Sequence, residues 1–174
     1  MTMLYHVSEQ RDIRRFDPRQ NPAVAEAVVW AIDQDHLRNY LLPRDCPRVT
    51  FYARPDSSAA DVQRLLGTSR AVVAFEAAWL ERVRAASLAC YRLPAETFEL
   101  HDASAGYYVS REPVVPAGVE IIDDCLAALA NRGVEVRVLP SLWELRDAVV
   151  ASTMEFSIIR MRNAQPRPEA GVAS

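Results

Sequence analysis

Apolar residues in this chain come in short runs, and that brevity limits what it can fold into. Ala27–Ile32 and Val49–Ala53 are each bounded by polar or turn-forming residues, which is the length and flanking of a buried strand rather than of a helix. Met3–Val7 contributes Leu4, Tyr5 and Val7, side chains suited to a pleated, half-buried surface. Further strands are expected at Leu88–Leu93, Tyr107–Ser110, Val119–Ile121 and Glu135–Leu139. Apolar stretches such as Ala71–Ala74 and Ile158–Ile159 fall far short of the ~20 residues that span a bilayer. No membrane partner is expected.

Helical signals lie between these runs. Asp33 can cap a helix carrying Leu37, Tyr40 and Leu41 on one face, stopped by Pro43. Ser58 opens another, with Val62, Leu65 and Leu66 inward and Gly67 at its end. Ile122, Cys125, Leu126 and Leu129 stripe a third, with Asp123 and Asp124 in its first turn and Gly133 closing it. Ser141-Leu142-Trp143-Glu144 has the form of a capping box, and Leu142, Leu145, Val149 and Phe156 continue along one face. Over Phe156–Met161 helix and strand periods fit equally. Pro18, Asn21 and Pro22 make Asp17–Glu26 a loop.

This order predicts an α+β fold with mixed or antiparallel sheets flanked by helices, rather than a doubly wound parallel sheet. With 174 residues, one domain over residues 1–164 is expected. A disordered tail over 165–174, rich in Pro and Ala, follows it.

Composition removes several function classes. A formal charge of -3 offers no basic field for nucleic acid. All 20 basic residues are arginine, so neither a lysine Schiff base nor a lysine-dependent phosphate loop is available. With five glycines and no GxGxxG or GxxxxGK[ST], a glycine-cradled dinucleotide or triphosphate is not expected. Cys46, Cys90 and Cys125 are odd in number, widely spaced and lack a CxxC pair, which argues against a disulfide framework and a zinc site. The N-terminus has no signal-peptide run, and a cytoplasmic location is expected.

His6 shares a strand face with Leu4, because side chains two apart point the same way; the simpler reading is a buried, hydrogen-bonded histidine. Tyr40-Leu41-Leu42-Pro43-Arg44-Asp45-Cys46-Pro47-Arg48 sets a thiol between two arginines. They could activate Cys46 or clamp a phosphate or carboxylate; the plainer alternative is a turn with Cys46 buried. Asp33, Asp35 and His36 resemble metal ligands, but their spacing does not converge on one helix face, and no metal site is expected. His101-Asp102 reads as a polar loop. Arg160 and Arg162 suit helix carbonyls and an anion equally.

Leu4-Tyr5-His6-Val7-Ser8, then Val28-Val29-Trp30-Ala31-Ile32-Asp33 and a helix ending in Tyr40, resembles the opening of ADP-ribosyltransferase-like domains. Gly106–Pro116 resembles a later strand of that fold. The resemblance implies that His6 holds the nicotinamide-side ribose of NAD, Tyr40 stacks on the nicotinamide and Trp30 lines the cleft. Ser8, Arg44 and Arg48 join Trp30 as candidate cofactor-binding residues. Those transferases place a glutamate near the start of the late strand, where this chain has Ala105-Gly106; Glu112, beyond the tyrosines, is the candidate substitute. The blocks Leu4–Ser8, Asn39–Ala53 and Phe156–Ala164 also resemble those of a bacterial family of uncharacterised proteins. The transferase resemblance, not the family one, implies a relative that binds NAD or ADP-ribose with weak or no transferase activity. The alternative is a non-enzymatic binding or interaction module.

Overall fold

The computed structural model describes residues 2–168. Its chain forms two compact units: one from the residues up to Arg44 together with Ala86–Cys125, the other from Asp45–Ala85 together with the residues from Leu126 onward. The first carries an antiparallel sheet with short 3-10 turns, the second a mixed sheet with the α-helices, so the chain as a whole is α+β.

In the first unit the strands are β1 (Met3–Ser8), β2 (Arg19–Asn21), β3 (Val24–Ile32), β6 (Leu88–Pro94), β7 (Glu99–Asp102), β8 (Tyr107–Ser110) and β9 (Gly118–Ile122). They form an antiparallel sheet in the order β7-β8-β3-β1-β6-β9, with β2 added to β3. One face holds Leu4, Val29, Ala31, Ala89, Tyr91 and Leu93, covered by Phe16 and Val114, which exchange two backbone hydrogen bonds at 2.8 and 2.9 Å. β1 pairs with β6 along its whole length, from Met3↔Pro94 to Ser8↔Ala89. Its register with β3 is the single match Tyr5↔Ile32. The two central strands therefore part just beyond Tyr5.

The second unit holds β4 (Arg48–Tyr52), β5 (Ala71–Glu76), β10 (Val134–Leu139) and β11 (Glu155–Ile159). Their order is β10-β5-β4-β11, with β10 parallel to β5 and the other pairs antiparallel. β5 is buried at every position, so it lacks the alternation that marks a half-exposed strand and reads as an apolar run. α1 (Ala59–Asp61) begins where expected: Ser58 accepts the Asp61 amide, and a π turn over Val62–Leu66 ends at Gly67, at φ 60°. α2 (Leu80–Ala85), α3 (Cys125–Ala130) and α4 (Trp143–Val150) complete the helices. Leu65, Leu66, Leu142, Val149 and Met154 pack on Val49, Phe51, Val72 and Ala74.

Several sequence expectations shift. The proline-broken loop contains β2, and Ile122 closes β9 rather than opening a helix. Asp33 does accept the His36 amide at 2.8 Å, but the turn it caps is only the 3-10 stretch Leu37–Tyr40. The ambiguity at Phe156 resolves to β11, because its backbone completes the edge of β4. The Ser141 box opens a real helix without closing as a box. Ser141 Oγ takes the Trp143 amide at a weak 3.4 Å, whereas Glu76, wholly buried at the end of β5, accepts the Leu142 amide. Of the expected tail, 165–168 are described and include bonded Gln165 and Arg167, while 169–174 lie outside the described residues.

Candidate functional site

The site is built where β1 and β3 separate. With the strand ladder ending at Tyr5, the side chain of His6 reaches the carbonyl oxygen of Trp30, Nδ1 to O at 3.0 Å. A carbonyl only accepts, so Nδ1 carries the proton and Nε2 keeps its lone pair. The ring packs 4.8 Å from Phe16, which in turn meets Tyr91 edge-on. Burial pushes His6 below its ordinary pKa of 6.5; the Trp30 carbonyl opposes this, and the positive charges of Arg44 and Arg19 add to it. A histidine so placed is neutral at neutral pH.

The chain leaving β1 is pinned beside this ring. Tyr91 donates its hydroxyl proton to the Gln10 carbonyl at 2.8 Å and accepts the Ile13 amide at 3.0 Å. Ser8 Oγ accepts the Gln10 amide. The Arg44 amide donates to Glu9 at 3.3 Å, bringing the end of that loop to the end of β1. Arg19 comes from β2, opposite Val28.

Trp30 and Tyr40 belong to a different cluster. On β3, Val29 and Ala31 face the core shared with Leu4, so Trp30 between them points to the other face of the sheet, away from the His6 ring. Its indole meets His101 and Tyr107 edge-on at 5.1 and 5.6 Å, and its buried N–H has no hydrogen-bond partner among the described residues. Tyr40 bonds through its hydroxyl to that of Tyr107. His101, expected in a loop, lies on β7.

Ala105-Gly106 has a structural reason of its own. Gly106 adopts φ 67°, and its carbonyl receives the Asp33 amide at 3.1 Å. A side chain there would collide with the Asp33–His36 pair, which is joined at 2.7 Å. Glu112 is exposed; its backbone N–H donates to Ser110 Oγ and its carbonyl accepts from it, both at 3.1 Å.

In the second unit Arg48 is 2% exposed, and its Nε donates to the Cys46 carbonyl at 2.9 Å. Cys46 is fully buried, its thiol donating to the Pro47 carbonyl at 3.6 Å. This thiol packs as a small hydrophobe and is closed to solvent. Cys90 and Cys125 are also buried. No helix among the described residues is long and apolar enough to cross a membrane, and no group of three or more His, Cys, Asp or Glu among them could hold a metal ion.

Residues 5–164 match the sequence profile described as Family of unknown function (DUF6886). The chain belongs to that family. The match takes in both the His6 strand and β11, so the family spans both units. No curated protein and no solved structure matches the chain.

Sequence reasoning singled out His6, Ser8 and Arg44, which come together at the end of β1. It missed Arg19, hidden in a segment read as a proline-broken loop. β2 is three mostly exposed polar residues, too short to register as a strand.

Proposed function

We propose that this chain binds a nucleotide-type ligand, NAD or ADP-ribose, beside His6, as an ADP-ribosyltransferase-like relative with little or no transfer activity. The carrying observation is the His6–Trp30 carbonyl bond. It fixes the tautomer and leaves Nε2 as an acceptor for a ribose hydroxyl, in a ring that burial keeps neutral. Arg44 and Arg19, the cations whose fields reach His6, supply the charge a diphosphate requires, and Ser8 lies two residues along the same strand. On this reading Trp30 and Tyr40 support β3 from its opposite face. Arg48, buried on a carbonyl, belongs to the core of its own unit.

Weak catalysis follows from Gly106. Without a carboxylate at that point of the late strand, a developing ribose cation loses a preorganised partner, an omission that costs on the order of 10²–10³ in rate. The experiment is a thermal-shift titration with NAD and ADP-ribose, paired with an assay of nicotinamide release. At ten times its Kd a ligand stabilises the fold by about 1.4 kcal/mol. The expected result is stabilisation that disappears in His6→Ala, with no appreciable nicotinamide release. No shift with either nucleotide, or rapid turnover unaffected by Glu112→Gln, refutes the reading.

The alternative, a non-enzymatic interaction module, draws on one feature. β9 ends the sheet with Val119 46% and Ile121 41% exposed, and an apolar edge is a template for strand addition. Self-association abolished by Val119→Lys, in a protein indifferent to nucleotide, favours that reading.

A further inference from the structure

Three side chains of the second unit clasp the segment Gln165–Arg167. Glu76 Oε2 accepts the Gln165 amide at 2.8 Å, and the Trp143 indole N–H donates to the Gln165 carbonyl at 2.7 Å. Both backbone groups of one residue are thus read by side chains, and neither contact depends on which residue it is. Two positions on, Arg167 lies 4.5 Å over the Trp143 ring and places two nitrogens on Asp147, at 2.6 and 3.1 Å. A planar guanidinium can stack and make paired bonds at once; a lysine ammonium cannot. Pro166 and Pro168 flank that arginine and restrict the backbone in advance, lowering the entropy lost on docking.

We propose that Glu76, Trp143 and Asp147 form a peptide-recognition cradle. In the free chain it is filled by residues 165–167; its partner is a protein presenting an extended, proline-flanked arginine.

The cradle is built independently of its occupant. Glu76 is also held by the Leu142 amide at 3.2 Å, Asp147 is also bonded to Arg146 at 3.0 Å, and Trp143 and Asp147 stand one turn apart on α4. The occupant is lightly held: the side chains of Arg167 and Asp147 are 51% and 44% exposed, so this pair exchanges readily with solvent. All three cradle residues fall inside the family match, which ends at residue 164, just before the clasped segment. A tethered segment competes at an effective concentration of the order of millimolar. The cradle therefore binds a free peptide weakly until the tether is loosened.

The test uses the full chain and a fluorescein-labelled peptide Ala-Gln-Pro-Arg-Pro-Glu, followed by anisotropy. Arg167→Ala, at an exposed position, releases the internal competitor and is expected to tighten peptide binding at least tenfold over the unaltered chain. Adding Asp147→Ala, or replacing the peptide arginine by lysine, is expected to reverse that gain. Thermal melting of each variant verifies the fold. A folded Arg167→Ala chain that binds no better than the unaltered one overturns the proposal, and so does equal binding of the lysine peptide.

Discussion

Glu76 Oε1 accepts the amide hydrogen of Leu142 at 3.2 Å, across 66 residues of sequence. The first turn of α4 is thus secured by a carboxylate from the end of a buried strand rather than by the glutamate three residues beyond Ser141. Its second oxygen takes the Gln165 amide, so one side chain ties β5, α4 and the segment beyond β11. Glu76→Ala strands the buried Leu142 amide, at a cost of about 1–3 kcal/mol, while the amide of exposed Gln165 turns to water. A loss of roughly 1–3 kcal/mol in urea unfolding is expected, with Glu76→Gln milder because it keeps one acceptor. An alanine variant as stable as the parent contradicts this assignment.

Ser141→Ala follows from the same geometry. A well-formed serine cap is worth about 1 kcal/mol, but the Ser141 contact is stretched to 3.4 Å and Glu76 has taken the neighbouring amide. The expected loss is under about 0.5 kcal/mol. A full cap-sized loss in equilibrium unfolding would restore Ser141 as the principal cap.

Gly106→Ala tests the late strand. At φ 67° an alanine is strained, and its methyl carbon would fall 2.6 Å from Asp33 Oδ2 and closer still to His36 Nδ1. A destabilisation of at least about 2 kcal/mol is expected. Gly67→Ala, where φ is 60° and the space is open, should cost only the backbone share, about 1 kcal/mol. Equal losses at both glycines would show that the Asp33–His36 pair yields to the methyl group.

His6 carries the pH dependence. Burial lowers its pKa from 6.5, Trp30 opposes the change, and Arg44 and Arg19 reinforce it. Between the folded value and 6.5 the unfolded chain therefore holds more protons. The stabilisation from keeping the ring neutral is complete above 6.5 and is lost as pH falls through the folded pKa. NMR titration should place His6 below 6.5, and His6→Asn should flatten that limb of the stability profile. A titration at or above 6.5 rules out the neutral-ring account.

Much of the fold follows from local pattern. The strands at Met3, Val49, Leu88, Tyr107 and Glu135 and the helix start at Ser58 were legible because alternation and capping are short-range signals. β5 was not, because a strand buried on both faces has no period to read. β7 and β2 were not, because their residues are mostly exposed and polar. Within the candidate site, the sequence by itself determined that His6 shares a face with Leu4 and that Trp30 sits on a strand. Only the tertiary structure decided that the two rings lie on opposite faces of one sheet, and that Gly106 is occupied with Asp33 and His36. Those outcomes depend on register between strands, and register is settled by contacts that no local window contains.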